Sequence, residues 1–378
     1  MGLSTGRQSG HWHSWGLLLT AVVIGTVTLT AAVPAVGRTR PTVFHTEAWG
    51  FNHFGQLGNG TNTDSSVPVG VSGLARTTEV SAGALHSLAR LPDGTVVAWG
   101  SNFSGELGIG TTDTFKDTPV PVTGLTGVKA VSAGGPHSLA LLANGTAMAW
   151  GDNQYGELGN GTQTGPEICT PYPCSRTPVV AVGLTGVKAV SAGYSHSLAL
   201  LSNGTVMAWG TTNGSDVPVA VSGLTHVKAI SAGDGGSLGL LTNHTVMAWE
   251  GNGVPALVSG LSGVKAVAAG FSHNLALLGN GTVVAWVDNE FGELGNDTNS
   301  PSSVPEAVSG LTGVKAISAS YYYSLALLTN GTVMAWGRNF DGELGNGSNA
   351  DTNVPVRVSA LANVRRISAG QYHVLAKV

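Results

Sequence analysis

Two short markers that each recur seven times, and chain ends that supply complementary parts of one unit, predict an all-β fold: a seven-bladed β-propeller of four-stranded antiparallel sheets. The first marker is Ala-Trp, at Trp49, Trp99, Trp150, Trp209, Trp249, Trp286 and Trp336, spaced 50, 51, 59, 40, 37 and 50 residues apart. The second is Ser-Ala-Gly or a close variant, beginning at Ser81, Ser132, Ser191, Ser231, Ala268, Ser318 and Ser368. The two series run in step, so the repeat is a structural unit and not a chance motif.

The unit reads as strands in order. GVKAVSAG, HSLALL and TVMAWG are short runs rich in Val, Leu and Ala without helical spacing. Asn203-Gly204 stands between two of them and signals a tight hairpin with positive φ at both turn residues. Asp93-Gly94 takes the same place in an earlier unit, so turn chemistry explains the Asn there better than its glycan sequon. A loop follows each Ala-Trp pair, then a fourth extended piece with a proline, placed on the outer edge where no ladder bond is lost. The first strand-like run, from Val43, is of the third type, and the last two, ending at Val378, are of the first two types. One blade is therefore expected to be closed by strands from both ends, with residues 43–378 forming the ring.

Ahead of the ring, residues 1–36 read as a signal peptide or a single membrane anchor, followed by a linker over 37–42. Arg7 precedes an uncharged run from Trp15 to Gly37, with small residues at Ala32 and Ala35 that suit a peptidase. The run is also about the 20 residues that span a bilayer. Either reading places the propeller outside the cytoplasm, secreted or anchored by residues 15–37. Contact with a membrane is expected only through that segment. Cys169 and Cys174 are the only cysteines, and in an exported chain they are expected to form a disulfide.

Charged residues make up 10% of the chain and the net charge is −4, with no basic run, so nucleic acid is not an expected partner. No phosphate loop, nucleophile elbow or zinc-protease helix occurs, so no catalytic residue, metal or cofactor is expected. The repeated side chains read as structure. The seven tryptophans are assigned to the core. Glu106, Glu157, Glu293 and Glu343 share their position with Gln56, which argues against acid–base work and for binding of their own loops. His86, His137, His196, His273 and His373, replaced by Gly236 and Tyr323 elsewhere, stand one per blade and too far apart to share a metal; hydrogen bonds inside each blade are expected. Lys129, Lys188, Lys228, Lys265, Lys315 and Arg365 read as solubilising residues at strand ends.

The stretch AWGFNHFGQLGNGT from Ala48, followed by SAGALHSLARLPDGTVVAWG from Ser81, resembles the regulator-of-chromosome-condensation repeat, and the resemblance covers essentially all of residues 43–378. It implies the same seven-bladed ring. That family includes a nuclear guanine-nucleotide exchange factor, a plant ultraviolet-B receptor and secreted bacterial inhibitors of β-lactamases, so fold alone does not assign a role. No tryptophan precedes the HSL-type motifs, contrary to the photoreceptor's pattern, and the export signal conflicts with an exchange factor. A non-enzymatic monomer that binds or scaffolds an unidentified protein is expected. Its alternatives are an inhibitor of an extracellular enzyme such as a β-lactamase and, from another class, an exchange factor. Recognition of one partner needs features that break the sevenfold pattern. Tyr194, Phe271, Tyr321, Tyr322 and Tyr372 are the candidates.

Overall fold

The computed structural model describes residues 45–169, 171–211, 214–251 and 253–378. The predicted signal or anchor over 1–36 and the linker over 37–42 lie outside them. Among the described residues no helix is long and apolar enough to cross a membrane.

Seven antiparallel sheets form, as the repeats predict. Blade 3 is typical. Its strands are Val187–Ala192, His196–Leu201, Val206–Gly210 and Ser215–Ala220, paired in that order. Blades 1 and 2 span 79–121 and 128–180, and blades 4, 5 and 6 span 227–257, 264–307 and 314–357. Blade 7 is the shared one: Arg366–Ala369 and His373–Lys377 pair onward to Thr46–Gly50 and Ser65–Gly70. Blade 2 adds an outer fifth strand, Glu167–Cys169, whose Cys169 is joined to Cys174.

The hairpin between second and third strands differs from expectation. Gly204 has φ 85°, but no Asn of this turn has positive φ. Asn203 instead accepts the Thr205 N–H at 3.0 Å through Oδ1, and Leu201 N–H bonds Thr205 O at 2.9 Å. The side chain, not the backbone freedom of Asn, is what the turn uses, so Asp93 serves equally at 3.0 Å from Thr95 N.

Each blade packs its tryptophan into the blade before it. Trp209 of blade 3 lies with Leu139, Leu141 and Leu158 of blade 2, and all four are fully buried. Leu158 belongs to the long loop after Trp150. The buried Asn153 holds that loop, its Oδ1 accepting the Leu158 N–H at 3.1 Å. The backbone carbonyl of Glu157 then accepts two bonds from blade 3, from Trp209 Nε1 at 2.6 Å and Ser197 Oγ at 2.9 Å. Gln56, Glu106 and Glu293 repeat this for Trp99, Trp150 and Trp336, and Glu343 for Trp49.

The glutamate side chains bind their own loops. Tyr155 N–H meets Glu157 Oε2 at 2.9 Å, and the equivalents recur at Glu106, Glu293, Glu343 and Gln56. The histidines, however, bond between blades and not within them. His86 Nε2 lies 2.8 Å from Ser138 Oγ of the next blade, and the pattern repeats at His137, His196, His273 and His373. The Ser138 hydroxyl donates to Glu106 O, so His86 Nε2–H is the donor to Ser138 Oγ. Burial pushes His86, His137 and His373 down to about 3, and His196 and His273 to about 4.

Candidate partner-binding face

His196 at the start of the second strand pairs with Gly210 at the end of the third, so the turn before each histidine and the loop after each tryptophan emerge on one face of the ring. The hairpin turns and the lysines at the start of the first strands lie at the opposite end, where Val187 pairs with Leu201.

On the first face, backbone bonds step from blade to blade around the axis. Ala84 N–H donates to Gly134 O at 2.9 Å, Tyr194 N–H to Gly233 O at 3.0 Å and Phe271 N–H to Ser320 O at 2.9 Å. Gln371 N–H closes the circle onto Gly83 O at 3.0 Å. These bonds aim the first residue after each Ser-Ala-Gly marker at the axis, where Ala84, Gly135, Tyr194, Asp234, Phe271, Tyr321 and Gln371 ring a cavity of about 100 Å³. The ring is uneven: small side chains stand at blades 1 and 2, aromatic ones at blades 3, 5 and 6. At blade 4, burial lifts the Asp234 carboxyl to about 6.

Four of the five candidate aromatics converge. Tyr321 lies 3.8 Å from Phe271, 4.4 Å from Tyr322 and 6.0 Å from Tyr372 between ring centroids. Tyr321 and Tyr322 meet edge to face, the arrangement the ring quadrupoles favour. Burial first, and Tyr322 next, push the Tyr321 phenol up to about 12. Tyr194, 41% exposed, lines the same cavity but makes none of these ring contacts.

The long loops widen the patch with residues the sequence reading did not single out. Phe291 reaches Tyr322 at 5.0 Å and Phe51 reaches Tyr372 at 5.9 Å. The Arg338 guanidinium lies over both Tyr372 and Phe340, 5.5 and 5.6 Å from their centroids. Phe340 is 73% exposed and Phe103 53%. A sequence signal existed: all five long loops carry an aromatic shortly before Gly-[Glu/Gln]-Leu-Gly, at Phe54, Phe103, Tyr155, Phe291 and Phe340. The surface thus combines aromatic rings and phenolic tips with the Asp234 carboxyl and with Arg338, whose guanidinium is paired with Glu343 at 3.1 Å and Asp341 at 3.4 Å, a mixture suited to contact with another protein.

Models of the regulator of chromosome condensation (RCC1) repeat match residues 48–90, 93–141, 144–200 and 330–376, and a second such model matches 78–106, 128–157, 187–215, 264–293 and 314–343. The chain belongs to the RCC1 repeat family. It is similar to the ultraviolet-B receptor UVR8 of Arabidopsis thaliana, 28% identical over 43% of this chain and 48% of the receptor. It is also similar to the E3 ubiquitin-protein ligase HERC2 of Homo sapiens, 36% identical over 40% of this chain and 3% of the ligase. The chain thus matches about half of the one and a small part of the other. Among solved structures, yeast RCC1 (Prp20) bound to Kap60 superposes with a TM-score of 0.77 at 22% identity, over 88% of each chain. Human WBSCR16 does so with a TM-score of 0.77 at 22% identity, over 89% of this chain and 98% of that one. These likenesses establish the RCC1-type ring.

Proposed function

We propose that the protein is an exported, non-enzymatic propeller that grips a protein partner through the aromatic face around Tyr321. The carrying observation is the convergence of Tyr322 and Tyr372, with Arg338 over the latter, on the Phe271 and Tyr321 rings that line the axial cavity. Such aromatic and arginine groupings are the usual anchors of protein interfaces. The uncharged run from Trp15 to Gly37 and the Cys169–Cys174 disulfide support an oxidising compartment outside the cytoplasm. Binding also agrees with relatives of the fold, since yeast Prp20 is described in complex with Kap60 and for its binding to Gsp1p and histones. The Cys169 hairpin and the shortened loops after Trp209 and Trp249 add further asymmetry from which a single partner could be selected.

Affinity capture from the native medium or cell surface supplies the partner. Tyr321→Ser, Tyr322→Ser and Tyr372→Ser are then measured singly and together. A central ring contributes 2 kcal/mol or more at such interfaces, so roughly a thirtyfold loss is expected for the strongest single change, with the melting temperature little altered. Unchanged affinity in a folded triple variant rejects this face. A direct inhibition assay against extracellular enzymes, β-lactamase among them, tests whether binding takes the form of inhibition.

A further inference from the structure

Among the described residues, a loop leucine of the preceding blade fills five of the seven interblade seams and not the other two. In blade 6, fourteen residues separate the paired Gly337 and Thr352; in blade 3, four separate Gly210 and Ser215. The short loop after Trp209 has no Gly-[Glu/Gln]-Leu-Gly, and the next blade shows the consequences. Trp249 is 4% exposed, yet its Nε1 has no hydrogen-bond partner among the described residues. The apolar cluster around Trp249 lacks the loop leucine that Leu57, Leu107, Leu158, Leu294 and Leu344 supply to five others. A cavity of about 160 Å³ lies there instead, lined by Trp249, Ala208, Val219, Val221, Val254 and Pro255. Its rim is apolar and open, with Val254 82% exposed.

A buried indole N–H without an acceptor costs roughly 1–3 kcal/mol, and a cavity of about 150 Å³ accepts an apolar group as large as benzene. The filled seams show what fits both needs at once. At Trp336, Glu293 O accepts the indole N–H at 2.7 Å, Leu294 is fully buried, and Gly295 lies against the indole where a Cβ would come within 2.7 Å of Nε1. We propose that the slot at Trp249 is a docking site for a partner's loop carrying an x-Leu-Gly sequence. Its carbonyl before the leucine accepts from Trp249 Nε1, its leucine fills the cavity, and its glycine covers the indole. The site is separate from the aromatic cluster, but as a partner site it rests on the binding function proposed above.

The test uses the full chain with ¹⁵N-labelled tryptophan, Trp249 being assigned through Trp249→Phe. The probe is the synthetic peptide DNEFGELGNDTNSP, the sequence of residues 288–301. Its addition is expected to move the Trp249 indole resonance downfield and to slow its exchange with solvent by roughly tenfold, the worth of one hydrogen bond. The peptide with leucine replaced by serine leaves it unmoved. Ala208→Leu, which fills the cavity from inside, abolishes the response; so does grafting residues 288–301 between Gly210 and Ser215, which shifts the indole without peptide. Equal responses to the leucine and serine peptides, or none at millimolar peptide, overturn the proposal. Because Tyr321→Ser, Tyr322→Ser and Tyr372→Ser leave the peptide response intact, failure of the aromatic face and failure of the slot are separately readable.

Discussion

Val287 follows Trp286 at a position that is glycine in five of the other six blades. Gly50, Gly100, Gly151, Gly210 and Gly337 have φ between 88° and 104°, and Val287 keeps the same turn at φ 89°. At Gly151 an added Cβ would lie 2.5 Å from Pro136 O, which shows why side chains are avoided there. An L-residue in this region costs roughly 1–2 kcal/mol. Removing a β-carbon returns roughly 0.4–1 kcal/mol of entropy to the unfolded chain, in the opposite sense. Val287→Ala and Val287→Gly share the loss of the isopropyl group, so their difference isolates the backbone. The glycine variant should be more stable than the alanine variant by about 0.5–1 kcal/mol. In an ordinary strand glycine is worse than alanine by a similar amount, so the sign itself is diagnostic. At 2.1 cal/mol/K per residue over about 330 residues, the melting entropy is near 0.7 kcal/mol/K, and the expected separation is about 1 °C by differential scanning calorimetry. A glycine variant that melts below the alanine variant would refute the strain at residue 287.

Two further outcomes follow from the buried groups and the disulfide. Unfolded histidines take up protons below 6.5, whereas the five interblade histidines resist until about 3–4, so their stabilisation is present above 6.5 and is lost as the pH falls. Burial lifts Glu157, Glu293 and Glu343 to about 7, so their protonated forms favour the native state below 4.5 and that contribution is lost as the pH rises to 7. Burial also lifts Asp152 and Asp234 to about 6, in the same sense as the glutamates. The raised carboxyls therefore largely offset the histidines between 4.5 and 6 and give a shallow profile. Towards 3 the carboxyl contribution fades while the histidine one persists, and stability should fall steeply. Denaturant midpoints across pH 3–8 check this; a level profile from 4.5 to 3.5 would contradict a dry imidazole ring. Separately, Cys169→Ser with Cys174→Ser opens a loop of about six residues, worth about 2 kcal/mol by chain entropy. Since that pair ties only the added outer strand to blade 2, amide exchange should accelerate in 167–175 while the other blades keep their protection.

Blade count and ring closure were legible because Trp and Ser-Ala-Gly recur at fixed strand positions and every blade must bury the same indole. Tyr321, Tyr322, Phe271 and Tyr372 were legible as exceptions to that pattern. Arg338, Phe291 and Phe340 do not stand out because the glycine and leucine that repeat dominate their loops, and their nearness to Tyr322 and Tyr372 depends on the register that pairs Tyr323 with Gly337 and His273 with Val287. The histidine partners were misread for a similar reason. Ser138 lies 52 residues beyond His86, a contact created by sheet stacking rather than by anything near either residue in the chain. The Asn-Gly turns were assigned the wrong backbone because Asn serves both a left-handed residue and a side-chain acceptor, and the dipeptide does not distinguish them.

His373–Lys377 lies between Arg366–Ala369 and Thr46–Gly50 as an interior strand. A ribosome delivers this strand after the two it joins, so the toroid cannot lock until residues 373–377 have been made. Until His373 arrives, Ser87 lacks its neighbour across the seam and the edge at Thr46–Gly50 is bare. That interval is when a chaperone would find the most to hold, and a stop codon ahead of residue 373 should leave an unlatched arc prone to join edges with its own kind.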